Sequence, residues 1–476
     1  MQVTMTGQVV EPPRRRWVRS RVATSPQPTR DADFNWLMLL LATIVLEGAL
    51  RKWVLPGALQ PIAYGAKDIL AALFILSHPL PRVQSAIKNL QTAAFMVGFI
   101  LLPSFIMGLV HNPLAAISTY KNAVLWPVFA VHLAPRLSGR IIARLMPVLA
   151  IVSCGMAVLG AIQFVSSPDA FLNRYAWRDM GDYVPVALFG TGTRASGTFS
   201  YIAGMGAFSI FCFSTALWRF LLLTSHYQKI LAGLTAAASV CCAVESGSRA
   251  PVVTFVLMFI AATLVARRVK VLLRIWAVIL CIGLAVVFVL GPSILASFID
   301  RWETAGDTTV GRITGENLKG NVVDLIMGNP VGVGLGRATG YGAYKDLRKG
   351  VNPEGFDDGG SNALLESGLF GLLGLWMITI ALVALVVPGL TSNSHEFRSA
   401  SALLGVFSAY WVWSGIWYNH TATAFTWLSI AIWLGCQKGR AWRPNAGNVR
   451  RKTGDSSGAW ASRSPTSDGS GKHVAV

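Results

Sequence analysis

Charge is scarce in this chain. Only 13% of its 476 residues are Asp, Glu, Lys or Arg, and acids are the rarer sign, 22 against 41 basic residues. A soluble domain carries about a quarter charged residues, so a water-soluble globular protein of this length is excluded. Cysteine is sparse too. Cys154, Cys212, Cys241, Cys242, Cys281 and Cys436 all fall in apolar runs, without zinc-ligand spacing. Adjacent Cys241 and Cys242 are badly placed to bridge each other, and all six read as small buried hydrophobes. No metal centre or cofactor is expected. No cleavable leader is expected either, because Arg14-Arg15-Arg16 is not followed promptly by an apolar run, which begins near Trp36. No internal repeat is found.

What the chain has in abundance is apolar sequence, 53% of its residues, with a mean hydropathy of +0.52. Runs close to the ~20 residues needed to cross a bilayer recur along it. The expected fold is all-α, a polytopic transmembrane bundle of about twelve helices. The spans fall at Asn35–Leu50, Pro61–Leu76, Leu90–Val110, Pro113–Ala134, Ile141–Val165 and Thr198–Leu223. The others are Ile230–Val244, Pro251–Ala266, Val271–Leu290, Ala363–Val387, Ala400–Trp417 and Ala422–Cys436. Residues 1–34 read as a disordered basic tail, 35–437 as the membrane domain and 438–476 as a second disordered basic tail. A large loop, about 291–362, is expected to hold short helices over the bundle.

The net charge of +19 does not point to nucleic acid. Most Lys and Arg lie in the tails and in alternate loops, where positive charge accumulates on the cytoplasmic side. Arg82, Lys88, Arg136, Arg140, Arg144, Arg267, Arg268, Lys270 and Arg274 then face the cytoplasm, as do both termini. The exceptions stand out. Arg194 in GTGTRASGTF, Arg249 in ESGSRAP, and Arg51 and Lys52 in EGALRKWVLPG all face outward. Positive charge in outer loops opposes insertion and needs a reason. Guanidinium forks grip phosphate oxygens bidentately, so several on one face can clamp a diphosphate. The bland alternative is an interfacial arginine paired with an acid such as Glu47 or Glu245.

Other candidates are single residues. Asp357 and Asp358, before GGSNALLESGLFGLLG, can serve as a general base or merely form a solvated turn with Asp358 or Ser361 capping the helix. His420 in WYNHT is a rival base or a satisfied interfacial histidine. Asp68 is an acid within a span, with Lys67 or the Arg51/Lys52 pair available to neutralise it. GNPVGVGLGRATGYG matches a dinucleotide fingerprint at Gly332, Gly334 and Gly336 but lacks the βαβ frame, so it reads as a turn-rich loop that lets backbone approach a ligand. Gly368, Gly371 and Gly374 suit close helix packing.

Three of these stretches together resemble the O-antigen ligase/O-antigen polymerase superfamily of bacterial surface-polysaccharide proteins. RASGTF from Arg194 and SGSRAP around Arg249 are similar to its two arginine motifs, and NPVGVGLG with SNALLESGLFGLLG to the end of its large periplasmic loop. EGALRKWVLPG is similar to the opening of one subgroup. The resemblance implies an inner-membrane, inverting-type glycosyltransferase whose donor is a glycan on undecaprenyl pyrophosphate. Arg194, Arg249, Arg51 and Lys52 would bind the diphosphate, and Asp357, Asp358 or His420 would deprotonate the acceptor hydroxyl. No metal is implied. The partners implied are the lipid-linked glycan, membrane lipid and a chain-length regulator or other export-assembly protein. Ligases of the family carry a His-Asn pair upstream of the ExGxxG element at Gly368. Here Asp357-Asp358, or Ser361-Asn362, stands in that region. The departure favours polymerisation of repeat units over ligation to an acceptor such as lipid A core. A glycolipid or small-anion transporter is the alternative from another class.

Overall fold

A computed structural model describes residues 29–55, 59–79, 85–137, 139–176, 188–189, 192–222, 225–266, 327–337, 359–392, 394–410 and 419–436, with a few isolated positions. Among these residues the chain is almost wholly helical. The helices are α1 (Thr29–Ala49), α2 (Gln60–Ser77), α3 (Ser85–Ile100), α4 (Leu102–His111), α5 (Pro113–Leu133) and α6 (Gly139–Val165). They continue with α7 (Ile202–Leu222), α8 (His226–Glu245), α9 (Arg249–Ala266), α10 (Gly359–Leu390), α11 (His395–Tyr410) and α12 (His420–Cys436). A two-residue hairpin pairs Leu188–Phe189 with Gly192–Thr193.

Among the described residues five helices (α5, α6, α7, α8 and α10) are long and apolar enough to cross a bilayer. The bent pair α3–α4 makes a sixth if it is one span. The run expected as one span over Leu90–Val110 is thus two helices, bent by 47°. Pro103 in the first turn of α4 supplies the reason, since it lacks an N–H and clashes with the preceding turn. The expected span Val271–Leu290 and most of the large loop lie outside the described residues.

Helix α7 is the bundle axis. Every residue from Gly204 to Arg219 is buried, and α7 packs against α8, α9 and α12. A helix buried along its whole length is one that neighbours surround on every side. Phe199, Phe208 and Phe211 meet Phe425 of α12 at ring separations of 5.3–5.9 Å, closing that seam. Peripheral helices show the opposite pattern. Leu76, Val110, Val165 and Leu264 are each at least three-quarters exposed. Such an apolar exterior suits contact with lipid.

The Gly-rich stretch is a structural plug. Val333 and Gly334 donate to the Leu365 and Glu366 carbonyls of α10 at 2.9 and 3.0 Å, and Leu335 donates to the Ser104 carbonyl of α4 at 2.9 Å. The approach expected for a ligand is thus made by helix backbone. Gly332, Gly334 and Gly336 all have φ above +80°, and a Cβ on Gly332 would overlap the Glu366 carbonyl. Gly368, expected as a packing glycine, instead kinks α10 at φ 54°, with Leu369 donating to the Pro330 carbonyl. Gly368→Ala should therefore lower the unfolding midpoint in detergent. Backbone strain alone costs about 1–3 kcal/mol, and a methyl group would also strike Pro330. An unchanged midpoint would show that the plug does not hold the kink.

Candidate functional site

The RASGTF segment is the hub of one end of the bundle. Ala195 donates its N–H to the Glu245 carbonyl at 3.0 Å, and Arg194 Nε donates to the Ser246 carbonyl at 2.9 Å. These bonds seat the segment on the turn between α8 and α9. The N–H groups of Ser196 and Gly197 both donate to Gln163 Oε1 of α6, at 3.1 and 2.8 Å. Gly197 turns there with φ 57°, a conformation that costs little only for glycine. Thr198 Oγ1 donates to the Val45 carbonyl of α1 at 2.6 Å. Gly48 lets α1 lie directly on residues 198–200, since any Cβ would overlap their backbone.

Arg194 and Arg249 therefore belong to the same end of the molecule. Arg194 is half-buried and tied to Ser246. Arg249, also half-buried, is the first residue of α9. A cation at a helix N-terminus faces the positive end of the dipole, a placement disfavoured by roughly 0.3–1 kcal/mol. An anion bound there would reverse the sign. Glu245, the acid offered by sequence as an arginine partner, is buried, and neither of its carboxyl oxygens accepts a hydrogen bond among the described residues.

Arg51 and Lys52 sit in a π-helical turn, Leu50–Val54, that continues α1. Both are buried and have protein partners. Arg51 donates to Glu47 Oε1 and to Ser200 Oγ, each at 3.0 Å. Lys52 donates to Ser196 Oγ at 3.0 Å and to the Gly197 carbonyl at 2.6 Å. Burial pulls the Lys52 ammonium down to about 7. The pair thus staples α1 to the RASGTF turn, with the Arg51 guanidinium on its underside.

Beside it lies a cluster that the sequence only half disclosed. Glu47 bridges Arg51 and Lys67. Asp68 pairs with Lys121 of α5 and accepts from Trp126 Nε1 at 3.1 Å, so its expected neutralisation by Lys67 or by Arg51/Lys52 is replaced by a partner from another helix. Helices α2 and α5 pack together, which brings Lys121 within reach of Asp68. The Tyr64 ring is the centre of the cluster, with Arg51, Lys67 and Lys121 at 4.6, 4.5 and 5.2 Å from its centroid. Cations gather on an aromatic face because its quadrupole is negative there.

His420 is the first residue of α12 and is buried. Its Nε2 lies 2.7 Å from Ser118 Oγ of α5, and its ring meets the edge of Tyr64 at 4.6 Å. The α12 N-terminus is secured by Asn419, whose side-chain oxygen accepts from Ala422 N at 3.0 Å. Asp357 and Asp358 lie outside the described residues. Among the described residues no three His, Cys, Asp or Glu side chains gather as they would around a metal ion.

Lys121, Ser118, Tyr64 and Gln163 were not among the residues singled out from sequence. A signal existed for Lys121, a lone cation in an apolar run, which marks a functional candidate in a membrane span. Ser118, Tyr64 and Gln163 carry no such signal, because their roles depend on which helices meet. Compared with family models, with curated proteins and with solved structures, the chain matches none.

Proposed function

We propose that the chain is an inner-membrane glycosyltransferase that polymerises oligosaccharide repeat units carried on undecaprenyl pyrophosphate, at the periplasmic face. The observation that carries the reading is the shared seat of Arg194 and Arg249 on the 245–249 turn, stapled through Ser196 and Gly197 to the Arg51/Lys52 turn. Four cations at one end of an apolar bundle suit a lipid diphosphate, whose tail stays in the membrane while its charge sits at the rim. On this reading both termini are cytoplasmic and the bundle has about twelve spans.

In the reaction, an acceptor hydroxyl attacks the anomeric carbon of the donor sugar. The bond from that carbon to the diphosphate oxygen breaks, and the electron pair leaves with the lipid diphosphate. The hydroxyl proton passes to a general base. Arg194 and Arg249 stabilise the charge growing on the leaving group. His420, Asp357 and Asp358 compete for the role of base.

The test is the length distribution of surface glycan with and without the protein. Loss of long chains, with single units still attached, is the expected result. Loss of attachment with long lipid-linked chains intact would convert the reading to a ligase, and no change in either would end it. Asp357→Asn, Asp358→Asn and His420→Ala, each measured for chain length, identify the base. Unchanged turnover in both aspartate variants moves the role to His420.

A further inference from the structure

We propose that Lys121, Ser118 and Tyr64 form the mouth of a second oxyanion subsite, backed by Lys67, Arg51 and His420, that takes a phosphoryl group. The subsite shares Arg51 and His420 with the transfer reading above, and its test is chosen so that the two readings fail separately.

Charge is the first reason. Arg51, Lys67 and Lys121 gather on the Tyr64 ring, and the carboxylates paired with them are those of Glu47 and Asp68. Among the described residues the cluster thus holds more cations than carboxylates. Excess charge held away from water is unfavourable until an anion joins it. Helices α2, α5 and α12 begin at this end, and their N-terminal dipoles add to the positive potential.

The second reason is independent of charge. His420 is 9% exposed, and its Nδ1 has no hydrogen-bond partner among the described residues. Buried ring nitrogens are normally satisfied, so an orphan one calls for a ligand or water. The third is access. The Lys121 side chain retains 21% exposure beside its pairing with Asp68, and Ser118 and Tyr64 are half-buried. Tyr64 comes from α2, Ser118 and Lys121 from α5, and His420 from α12. That spread suits a tetrahedral oxyanion better than a planar carboxylate.

The full chain is reconstituted in phosphatidylcholine nanodiscs, and binding of inorganic pyrophosphate is measured by calorimetry. Using an Arg194→Ala/Arg249→Ala background separates this subsite from the arginine pair. Binding is expected to persist there and to weaken by about tenfold or more on adding Lys121→Gln, the loss of one charge-assisted contact. No binding in the background, or binding indifferent to Lys121→Gln, overturns the subsite. Lys121→Arg is expected to retain binding. Lys121→Gln with Asp68→Asn keeps the net charge and removes the ion pair as a whole. It should bind as weakly as Lys121→Gln alone, and wild-type affinity in it overturns the contact. Discs containing phosphatidic acid identify the source. Competition with pyrophosphate assigns a lipid headgroup, and absence of competition assigns a soluble phosphate. Failure of the glycan-length test would leave these outcomes untouched.

Discussion

Arg194→Ala and Arg249→Ala should each abolish glycan chain lengthening while the protein still inserts in the membrane at normal levels. A guanidinium in a partly dry site acts on charge that develops only as the bond to the leaving group breaks. Removing one such preorganised donor typically costs a factor of roughly 10²–10³ in rate. Both arginines are half-buried at the same turn, Arg194 bonded to it and Arg249 ending it, and on the proposed reading they share one leaving group. Arg194→Lys separates charge from geometry. It keeps the cation but loses the Nε donor to the Ser246 carbonyl and the bidentate fork. Activity well below wild type in Arg194→Lys is therefore expected as well. Chain length is read on gels of surface glycan, with protein level read by immunoblot. Normal long-chain polymer in both alanine variants would remove the diphosphate clamp.

Glu47→Ala should be the most destabilising single change in the cluster. Glu47 lies between Arg51 and Lys67, and the side chains of those three residues are 2%, 1% and 0% exposed respectively. Taking away the shared carboxylate leaves two buried cations without it, a change worth about 3–5 kcal/mol where a buried pair is broken. The fall should appear as a lower unfolding midpoint and poorer yield in detergent. Glu47→Ala combined with Lys67→Met should recover part of the loss, because one of the stranded cations is gone. An unaltered midpoint in Glu47→Ala would show that the cluster is wet enough to do without its carboxylate. Asp68→Asn should behave in the same direction but more mildly, since the Lys121 side chain it pairs with is 21% exposed.

The helices were legible because lipid and close packing impose long apolar runs. The expected Ile141–Val165 and the observed Gly139–Val165 differ by two residues at one end. The break at Leu101 was not read, because Pro103 sits inside an unbroken apolar run and hydropathy does not register backbone geometry. RASGTF and SGSRAP stood out because the charge pattern of the loops predicts an outward side for them, where cations run against the insertion rule. Their seating on one another was not legible. It depends on Gln163, a residue with nothing unusual in its neighbourhood, and on Gly48, whose missing Cβ matters only once α1 lies on Thr198.

The amino-acid order by itself determined that this is a helical membrane protein, and which residues are anomalous enough to need a purpose. Both follow from the cost of placing charge in or beside an apolar medium, and that cost is local to each residue. Partnership was decided only in three dimensions. Asp68 went to Lys121 rather than to its neighbour Lys67, and Glu47 took Lys67 with Arg51. A buried ion pair forms with whichever opposite charge the helix packing brings into contact, and sequence distance carries no information about that.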